Sequence, residues 1–108
     1  MSGIEISPTD AHAAVDAGGA FLVDCREQDE WDLVHIEGAT LIPMSELNAR
    51  VGELPAPGQR PVIVYCHHGM RSLRVATALR AAGHADAQSM SGGIDAWAVE
   101  VEPGMSRY

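Results

Sequence analysis

The chain has 108 residues, enough for one domain spanning 1–108 that buries a core without disulfide or metal staples. Seven basic residues against fifteen acidic ones give a net charge of −8, which argues against a nucleic-acid or anionic-membrane surface. Two cysteines are too few for a disulfide framework, no apolar run reaches the length of a membrane span, and the amino-terminal stretch lacks a leader pattern, so a soluble cytoplasmic domain is expected.

In chain order, Ile4-Glu5-Ile6 reads as a short edge strand. Ser7 follows as a helix N-cap, with Pro8 at the first helical position, Asp10 in the first turn and Gly18-Gly19 as the stop. Ala20 to Asp24 is apolar without alternation, as a strand covered on both faces should be. Gln28 to Val34 is a short helix candidate, His35 to Gly38 a turn, and Ala39 to Ile42 a third strand closed by Pro43. Ser45 to Val51 makes a modest helix with Ser45 as its cap, and Glu53 to Pro61 is a proline-rich surface loop. A β-branched run, Val62 to Tyr65, leads into Cys66-His-His-Gly-Met-Arg71 and then a helix from Ser72 to Ala82, packing Val75, Ala78, Leu79 and Ala82 inward. Ala85 to Met90 is a fifth strand, Ser91 to Trp97 a turn into a last helix, and Val99 to Tyr108 an irregular tail. Strands alternating with helices predict an α/β fold, a five-stranded, largely parallel sheet with helices on both faces.

The stretch after the fourth strand carries the chemistry. A strand that turns tightly into a helix sits at the carboxyl edge of such a sheet, where ligands bind. Its backbone N–H groups and the helix N-terminus favour an anion, either a guest or the thiolate of Cys66 itself. Gly69 supplies the left-handed geometry that turns amides inward, and Arg71, with His67 and His68, adds positive charge around the sulfur. These features predict an exposed, nucleophilic thiolate. Metal binding is disfavoured because side chains of the contiguous Cys66, His67 and His68 should diverge and no second ligand pair has zinc-finger spacing. Cysteine phosphatases use Cys-x5-Arg; here four residues separate Cys66 from Arg71, a narrower cradle better suited to one extra atom on the sulfur than to a phosphate. The same shortness disfavours arsenate reduction.

Cys66-His-His-Gly-Met-Arg71-Ser72 resembles the Cys-x-x-Gly-x-Arg loop of the rhodanese family, sulfurtransferases that carry sulfur as a cysteine persulfide. Leu22-Val-Asp24-Cys-Arg26-Glu27, His35-Ile-Glu-Gly38-Ala39 and Met90-Ser-Gly92-Gly93-Ile-Asp-Ala-Trp97 resemble three further segments of that family, in the same order. The resemblance implies a rhodanese-like fold with Cys66 as nucleophile and Arg71 steadying the anionic donor and the persulfide. It implies a donor-binding loop of His67, His68, Gly69, Met70 and Ser72, with Asp24 and Arg26 in support. No cofactor and no metal are implied. The donor would be a small molecule such as thiosulfate, and the acceptor a thiophile or, in a sulfur relay, a partner protein in cofactor or tRNA thiolation. Glu102 to Tyr108 resembles the end of rhodanese domains fused behind adenylating enzymes, an ending that standalone members of the family share. Retention of Cys66, Gly69 and Arg71 argues against a purely regulatory domain.

Two positions depart from the family pattern. Cys25 replaces an aliphatic residue, either as a small apolar substitute or as a thiol that resolves Cys66. Glu37 replaces a proline, which should loosen the His35 turn. Asp24 and Arg26 read first as a structural ion pair, and His35 as a backbone-bonding turn residue. Trp97 and Trp31 read as core or rim aromatics, with Trp31 also a candidate for the mouth of the site.

Overall fold

The structure is a computed structural model and describes residues 3–108. Five strands, β1 (Glu5–Ile6), β2 (Phe21–Asp24), β3 (Thr40–Leu41), β4 (Val62–Tyr65) and β5 (Gln88–Met90), form one sheet in the order β1-β5-β4-β2-β3. Every ladder is parallel. Five α-helices connect or follow them: α1 (Pro8–Asp16), α2 (Gln28–Leu33), α3 (Leu47–Arg50), α4 (Met70–Ala81) and α5 (Gly93–Glu100).

Side chains alternating across β2 and β4 divide the core into two layers. On one face Val23, Cys25, Val62, Val64 and Cys66 pack with Val75, Ala76 and Leu79 of α4. On the other, Leu22, Ile63 and Tyr65 pack with Ala11 of α1 and Ile94 and Trp97 of α5. The central strand β4 is buried along its whole length, which explains its unbroken apolar run.

Ser7 caps α1 as expected, its Oγ accepting from Asp10 N at 3.1 Å. Four expectations need correction. Ser45 caps no helix: Pro43 leads into a 3-10 turn over Met44–Glu46, and the Ser45 hydroxyl donates to Glu27. α4 starts at Met70, two residues early, because Gly69 supplies a left-handed N-cap at φ +101°. Its inward face is Ser72, Val75, Ala76 and Leu79, a stripe spaced i, i+3, i+4 and i+7 turned towards the sheet, which leaves Ala78 and Ala82 exposed. The last helix runs to Glu100, shortening the irregular tail.

The sheet order places the chemistry. From β2 the chain steps to β3 on one side, returns to β4 on the other, and continues outward to β5. The order reverses between β2 and β4, and a parallel sheet opens a crevice beyond its carboxyl edge at such a reversal. Cys25 and Cys66 are the first residues past the ends of those two strands.

Candidate active site

Cys66 lies at the N-terminus of α4, and its sulfur is the focus of the loop's donors. Gly69 N–H donates to Sγ at 3.1 Å and Ser72 N–H at 3.3 Å. The Ser72 hydroxyl is 3.5 Å from the sulfur and 2.7 Å from the Ser89 hydroxyl, forming a short relay into β5. The Cys25 thiol, in the same core layer, acts most strongly of all to keep the charge on that sulfur. Together these donors, Cys25 first, overcome burial and bring the Cys66 pKa down to about 4, so the resting group is a thiolate. The Cys25 thiol moves the opposite way: its hydrogen bond to Cys66 and then its burial push it far above the ordinary thiol range.

Two expectations about this sulfur are overturned. Cys66 is not exposed: it is 1 % accessible, because Sγ points into the closed turn of the loop rather than outward. Nor do cationic side chains supply its donors. Arg71 turns to α2 and makes a bidentate ion pair with Glu30, Nη1 to Oε1 at 2.7 Å and Nη2 to Oε2 at 2.9 Å. The thiolate is held by neutral hydrogen bonds.

Two glycines shape the loop. A side chain on Gly69 would press on Gly92 N, besides being strained at that φ. One on Gly93 would land on the carbonyl oxygens of Cys66 and His67. That approach exists because the N-terminus of α5 grips the loop, Ile94 N–H donating to Cys66 O at 2.8 Å and Asp95 N–H to His67 O at 3.2 Å. With those carbonyls turned to α5, the amides of the loop are left facing the sulfur.

Asp24 and Arg26 are fully buried and paired at 2.6 Å, with the guanidinium also donating to Val34 O and to the Tyr108 hydroxyl at 2.7 Å. Tyr108 in turn donates to Glu30 Oε2 at 2.9 Å and stacks its ring on His67 at 3.9 Å. Asp24 and Arg26 therefore reach the loop indirectly, through the tail. Met70, first in α4, is 72 % exposed beside the loop. His67 and His68 do not diverge: tight turning at Gly69 stacks their rings at 3.9 Å, and their ligand atoms lie within 4.8 Å of those of Asp95. The two histidines thus converge on Asp95, contrary to the expected divergence, while Arg107 occupies both oxygens of that carboxylate. His35 bonds the Trp31 carbonyl and stacks on Trp31, and Trp97 is core. Surface depressions of about 450 and 440 Å³ lie at the amino ends of the strands, away from both sulfurs.

The Rhodanese-like domain family matches residues 7–100. The chain belongs to the rhodanese-like family. A probable adenylyltransferase/sulfurtransferase of Mycobacterium tuberculosis is 40% identical over 107 residues, 98% of this chain and 27% of that protein. The chain thus spans about a quarter of that relative's length. A thiosulfate sulfurtransferase of Coxiella burnetii is 32% identical over 93 residues, covering 86% of this chain and 85% of the relative. Among solved structures, a rhodanese-related protein of Thermoplasma volcanium superposes with a TM-score of 0.81 at 27% identity, covering 92% and 94% of the two chains. A human single-domain sulfurtransferase superposes at 0.81 with 21% identity over 92% and 98% of the chains, a likeness of fold.

In this rhodanese-like domain the fold brings Cys66, Gly69 and Ser72 together and leaves Arg71 on a second ring of contacts. Glu30, Ser89 and Tyr108 were not visible as site residues in the sequence. Ser89 lies on the weakest strand pattern, and Glu30 and Tyr108 are joined to the loop only by long-range contacts. The one available signal was Glu30 three residues after Glu27, a capping-box spacing that the structure forms.

Proposed function

We propose that this chain is a sulfurtransferase in which Cys66 carries the transferred sulfur as a persulfide. The observation that carries the reading is a buried thiolate at the N-terminus of α4, with two backbone amides and a hydroxyl aimed at its sulfur. The Cys66 thiolate attacks the outer sulfur of thiosulfate, the donor's S–S bond breaks, and sulfite departs with the bonding pair. Cys66–S–S⁻ remains, and the Gly69 and Ser72 amides and the Ser72 hydroxyl stabilise negative charge on the sulfur pair. An acceptor nucleophile then takes the outer sulfur and returns the thiolate, giving ping-pong kinetics. Arg71, steadied by Glu30, sets the positive edge that an anionic donor meets. His67, His68 and Met70 line the approach.

Thiosulfate as donor is supported by the name of the Coxiella relative, and transfer to a protein by the mycobacterial one, whose name couples adenylyl and sulfur transfer. An exposed Met70 beside the loop suits contact with a protein acceptor in the cytoplasm.

Intact-mass measurement after incubation with thiosulfate tests the reading. An adduct of about 32 Da, one sulfur atom, is expected on the wild type and absent from Cys66→Ser. A wild type that neither releases sulfite nor carries an adduct, or an equal adduct on the variant, refutes it. A protein acceptor would discharge the adduct at concentrations where small thiols leave the protein loaded.

A further inference from the structure

The mechanism leaves one buried nucleophile unused. Cys25 is 1 % accessible and sits in the same core layer as Cys66. The parallel register pairs Asp24 with Tyr65, and Cys25 N–H donates to Tyr65 O at 3.0 Å, so Cys25 and Cys66 occupy the next rung. Adjacent strands stand about 5 Å apart, which places these two Cα atoms inside the window for a disulfide. Alternation puts both side chains on the α4 face of the sheet, with Val23 and Val64 behind them.

We propose that Cys25 resolves the Cys66 persulfide, so that a loaded protein without an acceptor releases sulfide and closes a Cys25–Cys66 disulfide. The inference rests on the persulfide reading above. Cys25 Sγ attacks Cys66 Sγ, the Cys66–S bond to the outer sulfur breaks, and that sulfur leaves with the bonding pair. The Cys25 proton goes to the departing sulfide, which emerges as HS⁻. Two thiol sulfurs are oxidised to a disulfide while the sulfane sulfur is reduced to sulfide, so no oxidant is consumed. Summed with loading, thiosulfate and the two thiols become sulfite, sulfide and a disulfide. A small dithiol then restores the reduced pair by thiol–disulfide exchange.

The same arrangement sets the order of events. Burial beside the charged Cys66 keeps Cys25 protonated, so it attacks slowly and an available acceptor wins. Burial of Cys25 keeps external thiols from reaching it first. The pair thus shields the Cys66 sulfur from irreversible oxidation when no acceptor arrives.

The test loads the fully reduced chain with one equivalent of thiosulfate under anaerobic conditions, without acceptor or reductant. Sulfite, sulfide, intact mass and non-reduced peptide maps are followed in time. Expected for the wild type is an adduct of about 32 Da that decays to a species about 2 Da lighter than the reduced protein. One equivalent of sulfide and a peptide joining Cys25 to Cys66 should accompany it. Cys25→Val and Cys25→Ser should load and hold the adduct without releasing sulfide; the second variant guards against poor folding of the first. A wild-type adduct that persists with no sulfide and no linked peptide overturns the inference while leaving the persulfide reading intact. Sulfide release by the variants at the wild-type rate also overturns it. Absence of both sulfite and adduct in all three proteins removes the persulfide reading, and this inference with it.

Discussion

At the scale of single residues, the site makes a thiolate whose hydrogen-bond donors from the loop are neutral amides and a hydroxyl. Hydrogen bonds to a charged acceptor are worth about 1.5–3 kcal/mol, which is roughly one to two pKa units each. Cys25 is the largest contributor, ahead of the Ser72 hydroxyl and the two amides. Cys25→Val is therefore expected to raise the Cys66 pKa from about 4 by at least roughly one unit, read from the ultraviolet absorbance of the thiolate against pH. Wild-type thiolate absorbance should stay level from neutrality down to about pH 5 and fall as pH drops through about 4, whereas the variant should lose it at higher pH. Overlapping titrations would show that Cys25 contributes packing alone. The cysteine at position 25 and the loop glycine were legible in the sequence, because each changes local chemistry. The pairing of Arg71 with Glu30 was not: it joins residues 41 apart in sequence, and a basic side chain beside a cysteine gives no hint of which anion it will face.

At the scale of elements, the loop is held by the helices on either side of it. α5 donates from the amides of its N-terminus to the outward carbonyls of Cys66 and His67, and α2 anchors Arg71 through Glu30. Gly93→Ala puts a methyl group onto both carbonyls at a left-handed φ, so a loss of about 2 kcal/mol or more is expected. That should appear as a melting temperature lower by roughly 8 °C or more. An unchanged melting temperature would mean that α5 does not grip the loop. Glu30 is held down to about 2 by its hydrogen bonds with Arg71, the Glu27 amide and Tyr108. A carboxylate depressed in the folded state contributes stability that is complete above its ordinary pKa of about 4.5 and lost as pH falls towards about 2. Glu30→Gln should consequently lower the melting temperature at pH 7 and shrink the wild type's acid-side loss in that window. Equal acid slopes would assign the loss to other carboxylates. Elements were readable where propensity and punctuation agreed, as in Ser7-Pro8 ahead of α1 and Gly18 after it. They were misread where tertiary contact decided. Gly69, read as a loop glycine, starts α4, and Ser45 spends its hydroxyl on Glu27 instead of a cap.

At the scale of the whole molecule, the two sides of the switch point are tied together by the tail. The Tyr108 hydroxyl accepts from Arg26, beyond the end of β2, and donates to Glu30 of α2, while its ring lies on His67 of the Cys66 loop. The parallel sheet and the place of Cys66 at its carboxyl edge were legible from strand–helix alternation, but nothing local in Glu102 to Tyr108 tells that the tail returns to the site. Two substitutions separate the hydroxyl from the ring. Tyr108→Phe keeps the stack on His67 and removes a partner from a buried guanidinium, a loss of about 1 kcal/mol because the tyrosine itself is 42 % exposed and water can partly replace it. The expected result is a melting temperature roughly 4–8 °C lower, with thiosulfate loading of Cys66 close to the wild-type rate. Tyr108→Ala also removes the stack, freeing His67 and the mouth of the loop, so loading should change along with stability. If both variants melt with the wild type, the tail rests on the site without holding it. If Tyr108→Phe alters loading as much as Tyr108→Ala does, the hydroxyl acts through Glu30 and Arg71 on the donor, and the ring is incidental.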